Sequence, residues 1–146
     1  MKLKKSYRFD NKRQIWRIIP TKNGKLIIEE RETEKKLAYF HCLELDSGKK
    51  ILSNFQLDDT FWVGVEAVRD NIIFFHKFAK PDMPKHRGIF AFDMMKKEFI
   101  WQNPELIFLF ILNENEHACA EKFEGRNEYS INPFNGDMIA GIADHY

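Results

Sequence analysis

Two sets of side chains in this chain have the type and spacing of metal ligands. His76, Asp82 and His86 flank the segment 79–87, and His117 and Cys119 lie two residues apart. On a β-strand, residues two apart project from the same face, so His117 and Cys119 would look in one direction. Imidazole and thiolate groups hold zinc, but neither set reaches the four ligands of a structural zinc site. The residues therefore read as loop histidines and a core cysteine, with no metal and no cofactor.

Other chemistries find less support. Asp58-Asp59 could act as paired carboxylates, but the pair fits a strand-to-strand turn better. There is no G-x-S-x-G nucleophile elbow, no glycine-rich phosphate loop and no EF-hand calcium loop. Cys42 and Cys119 stand far apart, outside any C-x-x-C pattern, and are expected to be buried free thiols. The basic N-terminus interleaves Tyr7, Phe9 and Trp16 as nucleic-acid surfaces do, yet the chain's net charge is only +1. Nucleic acid is not an expected partner. No apolar run approaches 18 residues and no apolar segment follows the charged start, so neither a membrane span nor a secretory signal is expected. The chain reads as cytoplasmic.

The elements that must carry these residues are set out by an internal repeat. Four eleven-residue segments align without gaps: SYRFDNKRQIW (6–16), CLELDSGKKIL (42–52), AFDMMKKEFIW (91–101) and SINPFNGDMIA (130–140). Position 1 is small in each. Position 10 is isoleucine in all four: Ile15, Ile51, Ile100 and Ile139. Position 7 is Lys12, Gly48, Lys97 or Gly136. Read physically, the unit is a β-hairpin: a strand end, a turn near position 7, and the next strand. Gly48 and Gly136 suit a positive φ there, whereas Lys12 and Lys97 imply another turn type or mild strain.

The unit resembles the repeat of quinoprotein-like (PQQ-like) β-propellers, whose consensus runs roughly A-x-D-x-x-T-G-K-x-x-W. Ala91, Asp93 and Trp101 match at the right spacing, Ser47-Gly48-Lys49 matches the central turn, and Asn135-Gly136 matches in part. The resemblance implies propeller blades, which typically number four to eight in a closed ring. PQQ chemistry would need a full ring, a calcium site and adjacent cysteines, and this chain carries no adjacent cysteines and too few blades. Chance likeness among the hairpins of an ordinary sandwich is the alternative.

Apolar runs between turn residues complete the reading. The expected fold is all-β: a propeller-like array of about three four-stranded antiparallel blades, preceded by a partial blade from residues 1–16. All 146 residues would form a single domain of repeats. Glu29–Lys36 has helical charge spacing but no apolar face, so it reads as a strand end and a charged hairpin tip. The 49-residue spacing between the second and third repeats makes the loop 79–87 an insertion, and insertions in repeat proteins cluster on one face, often the binding face. Asp82, Lys85, His86 and Arg87 are the candidate binding residues.

Charge is divided along the chain. Residues 1–25 carry nine basic side chains and one acidic, a net of +8; residues 98–146 carry two basic and nine acidic, a net of −7. In a ring these ends would meet within one molecule; in an open array they would favour head-to-tail contact between chains. The expected function is a non-enzymatic protein-binding or scaffold module. Its partner would be another copy, engaged through open blade edges, or another protein. The alternative is a fragment of a larger propeller enzyme whose catalytic residues lie outside this chain.

Overall fold

The computed structural model describes residues 8–78, 85–113, 117–121 and 128–141. Among them there is no helix, only twelve strands in three four-stranded antiparallel sheets. The first sheet holds β1 (Gln14–Pro20), β2 (Lys25–Glu32), β3 (Leu37–Glu44) and β4 (Lys50–Phe55). The second holds β5 (Val63–Arg69), β6 (Ile72–Phe78), β7 (His86–Asp93) and β8 (Glu98–Asn103). The third holds β9 (Leu106–Ile111), β10 (His117–Glu121), β11 (Glu128–Ile131) and β12 (Met138–Gly141). Strands neighbour one another in chain order within each sheet. The contacts gather into two compact units, residues 1–61 around the first sheet and 62–146 around the other two.

Strand formation follows composition. β6 reads Ile-Ile-Phe-Phe-His-Lys-Phe, and β-branched and aromatic side chains suit a pleated, packed surface. In the second unit Ile72, Phe74, Ile89 and Ala91 of one sheet pack with Leu106, Cys119 and Ile131 of the other in a single buried cluster. Ile100 and Trp101 pack against its margin.

The repeat is a hairpin with two fixed features. At position 7 the backbone takes a positive φ in all four copies: 63° at Lys12, 71° at Gly48, 58° at Lys97 and 78° at Gly136. The two lysines therefore adopt the glycine conformation rather than another turn type. In three copies the position 7 N–H donates to the position 3 carbonyl at 2.8 Å: Gly48 to Glu44, Lys97 to Asp93 and Gly136 to Asn132. The second feature explains the isoleucine. In the pairings β3–β4, β7–β8 and β11–β12 the register slips by one residue, leaving Ile51, Ile100 and Ile139 as the extra residue of a bulge.

Two expectations shift. The first sheet starts at Gln14, so Ile15 and Trp16 belong to β1, where Ile15 pairs with Glu30 of β2 and Trp16 is the extra residue of a bulge, instead of closing a separate partial blade; residues 1–7 lie outside the described residues. The charged segment after Glu29 is strand as far as Glu32, and only Thr33–Lys36 forms the hairpin tip.

Candidate functional site

The second sheet gathers Glu66, His76 and His86 at one end. Each offers a ligand-type atom, and these atoms lie within 4.8 Å of one another. Strand pairing explains the convergence. His76 on β6 faces Gly64 on β5, and Phe78 faces His86 on β7. His76 and Phe78 are two apart on one strand, so both side chains leave the same face. Both neighbouring ladders are broken at this point. Between β5 and β6 the register slips between Val65 and Ala67, which makes Glu66 the extra residue. Between β6 and β7 it slips between Phe75 and Lys77, beside Gly88 with its φ of 84°. Bulges re-aim side chains, and here they bracket His76 from both sides.

The space for His76 depends on a missing side chain. A Cβ on Gly64 would fall 2.7 Å from His76 Nε2. The His76 and His86 rings stack with centroids 3.5 Å apart and planes 11° from parallel. Phe78 meets both edge-on, at 5.1 Å and 5.6 Å, and Trp62 meets Phe78 in the same way at 6.2 Å.

Hydrogen bonds fix the tautomers. His76 Nδ1 lies 3.2 Å from the Lys77 carbonyl, which can only accept, so Nδ1 carries the proton. His86 Nδ1 lies 2.5 Å from Glu66 Oε1, and again the nitrogen donates. With Nδ1 donating, Nε2 of His76 is left as the acceptor nitrogen of its ring. A ring whose Nδ1–H is held by a carbonyl or carboxylate is the arrangement in which histidine ligates metals. His76 is buried, and Glu66 nearly so, while 40% of the His86 side chain is exposed.

The residues singled out in the sequence are placed unequally. Asp82 lies outside the described residues, and Glu66 stands with His76 and His86. Only the bulge in β5 brings Glu66 there, and strict alternation along β5 does not announce it. Lys85 is exposed. Arg87 turns to the β8–β9 connection, donating from Nε to the Pro104 carbonyl and from Nη2 to Glu105 Oε1, both at 3.4 Å. Asp58 and Asp59 accept backbone N–H groups of their own loop, from Asp59 and Phe61. His117 and Cys119 are both buried. Burial pushes the Cys119 thiol up to about 12 and Cys42 to about 11, which makes both poor nucleophiles. His117 sits against Phe74 and Phe108, at 4.6 Å and 5.2 Å, with both ring nitrogens buried and unpartnered. Burial lowers its pKa to about 4.

The first unit holds a polar network that the sequence reading did not single out. Glu30 is buried, and its Oε1 accepts from His41 Nε2 at 2.6 Å, Asn11 Nδ2 at 3.1 Å and Arg13 Nη1 at 3.3 Å. His41 Nδ1 accepts the Asn54 N–H at 3.2 Å, so the ring is neutral with its proton on Nε2. Burial lowers its pKa, and protonation would set two donors against each other. Beside it, Arg31 Nε donates to Glu29 Oε2 at 2.8 Å and Nη1 donates to the Phe61 carbonyl at 2.5 Å. Arg13 carries the network outward, donating to exposed Asn54 Oδ1 at 2.6 Å and to Glu32 Oε1 at 3.2 Å, so it reads as a brace between strands and the segment before β1.

The fold and the cluster define an all-β protein of four-stranded antiparallel meanders with a histidine–histidine–glutamate group on the second sheet. The chain belongs to the DUF4905 family, described as a domain of unknown function, whose model matches residues 19–101. That match spans more than half of the chain and includes Glu66, His76 and His86. No curated protein and no solved structure matches the chain. The resemblance to quinoprotein-like propeller repeats is thereby corrected: the matching family is DUF4905, and no PQQ-like family matches. The shared letters have a local cause. Asp93 Oδ1 accepts the N–H groups of Met95 and Lys96, and the residue at position 7 must accept a positive φ. Any hairpin of this type selects such residues, whatever its ancestry. Among the described residues, no helix is long and apolar enough to cross a membrane.

Proposed function

We propose that this chain is a non-enzymatic protein-binding module of β-propeller type that associates with further copies through its first and last sheets. The observation that carries this reading is the fate of the position 10 isoleucine. Ile51 and Ile100, in the two inner copies, are half-buried. Ile15 and Ile139, in the two terminal copies, are 44% and 52% exposed. The same residue type is thus half-covered in the second and third copies and exposed in the first and fourth. Trp16 and Ile18 accompany Ile15, and Phe134 and Met138 accompany Ile139, all exposed. Among the described residues, β1 and β12 are edge strands of their sheets, and sheet edges invite further pairing. The net of +8 near the start and −7 toward the end supports a head-to-tail contact rather than a symmetric one.

A complementation experiment tests the head-to-tail sense. Ile15→Lys blocks one surface and Ile139→Lys the other. Each variant alone is expected to remain monomeric, because each lacks one half of the contact. Mixed, they retain one intact pair of surfaces and form a heterodimer. A mixture that stays monomeric while the wild type associates would contradict it.

A further inference from the structure

We propose that Glu66, His76 and His86 form a binding site for a divalent first-row transition ion of the zinc type. This goes beyond the association reading and does not depend on it, since all three residues stand on one sheet of one chain.

The donor set comes first. Two imidazoles and one carboxylate are borderline ligands that suit Zn²⁺ and its neighbours rather than Mg²⁺ or Ca²⁺, which prefer all-oxygen sites. The tautomers come second. The Lys77 carbonyl holds Nδ1–H of His76, and Glu66 holds Nδ1–H of His86. His76 therefore offers Nε2, with Nδ1 anchored, whereas His86 Nδ1 and Glu66 Oε1 face each other, and an ion must displace the proton between them. Space comes third. Gly64 is the residue opposite His76, and any side chain there would meet Nε2 at 2.7 Å. The paired bulges at Val65/Ala67 and Phe75/Lys77 add an unusual backbone at this one end of the sheet.

The rings are stacked, and lone pairs of parallel rings do not converge. Ligand atoms around a tetrahedral zinc stand about 3.3 Å apart, with metal–nitrogen bonds of about 2.0 Å. These three lie within 4.8 Å. Binding must therefore turn one ring out of the stack. His86, with 40% of its side chain exposed, is the one with room to turn. His76 is buried and held by Lys77 and the Phe78 edge. Three protein ligands leave a fourth position open, for water or for a side chain of a partner.

The test uses the tag-free chain and Zn²⁺ alone, titrated calorimetrically near pH 7.5. One ion per chain is expected to bind. His86→Ala and Glu66→Gln each weaken binding by at least about tenfold. His86 is partly open and Glu66 nearly buried, and circular dichroism without metal checks that both variants keep the fold. Co²⁺ in place of Zn²⁺ is expected to give a visible absorption band that His86→Ala loses. Affinity falls as pH drops, because protons compete with the ion for the imidazole nitrogens. No binding by the folded wild type, or binding by both folded variants as tight as the wild type, would overturn the assignment.

Discussion

The six-membered ring of Trp101 covers the Cα of Gly136. A Cβ at Gly136 would fall 2.5 Å from Trp101 Cε3, and Trp101 Nε1 donates to the Pro133 carbonyl at 2.8 Å. The last residue of the third repeat is thus docked on the turn of the fourth, through positions 4 and 7 of that turn. Gly136 answers two demands at once: a φ of 78° and the absence of a side chain under an indole.

Gly136→Ala is therefore expected to destabilise the second unit by about 2–4 kcal/mol, from left-handed backbone strain and overpacking together. Gly24→Ala serves as the internal control. Gly24 has nearly the same φ, 76°, but nothing lies within 4 Å of its Cβ position. Its loss should be about 1 kcal/mol, the strain alone. Urea unfolding followed by tryptophan fluorescence measures both. Equal losses would show that the indole does not press on Gly136.

The two lysines at position 7 bear the same strain without need. Lys97 takes a φ of 58° in a turn where Gly48 and Gly136 serve the other copies. Lys97→Gly should raise stability by about 0.5–1 kcal/mol, and Lys96→Gly, outside the left-handed position, should lower it by a similar amount. Thermal unfolding of the two variants reads the difference in sign.

His117 makes the second unit sensitive to acid. Its folded pKa is about 4, below the 6.5 of an unperturbed ring, because burial disfavours the charged form. The unfolded chain then binds a proton that the folded chain excludes. Stability from this group is complete above about pH 6.5 and falls as pH drops toward 4, by about 3 kcal/mol in all. His117→Leu should remove most of that slope and leave two fewer unpartnered buried nitrogens. His41, also lowered by burial, retains a share of the acid response. Urea midpoints at pH 7 and pH 4.5 test the prediction. An unchanged slope in His117→Leu would contradict it.

Glu30 holds three donors with one oxygen, and its other oxygen is buried without a partner. Glu30→Ala strands the buried His41 Nε2–H, while Arg13 keeps Glu32 and Asn54, and should cost about 1–3 kcal/mol of unfolding free energy. Glu30→Gln keeps an acceptor for His41 and should lose less. Parallel urea titrations of the first unit's unfolding in the full chain separate the two.

Much of the architecture was legible in the residues. The repeat located three of the hairpins, and alternating apolar runs located the strands, because a two-residue period and small turn residues are local properties. The lysines at position 7 concealed that all four turns share one geometry, since the main signal for a positive φ is glycine. The role of the invariant isoleucine was hidden too, because a bulge is a property of two strands in register. The same holds for the site. His76 and His86 carried a visible ligand chemistry, but Glu66 joined them through a bulge that strand periodicity alone would not produce. The segment Glu29–Lys36 reads as a strand end and a charged tip, and the burial of Glu30 and Arg31 stays hidden because His41, Arg13 and the Phe61 carbonyl that partner them lie elsewhere in the chain.

Head-to-tail association of the end sheets of this 17.5 kDa chain is read from its solution mass by light scattering. At low salt the mass is expected to rise with concentration through multiples of the chain. In about 1 M salt, where charges are screened beyond about 3 Å, the mass should fall toward the monomer. A monomeric mass at every concentration and at both salt levels would contradict it.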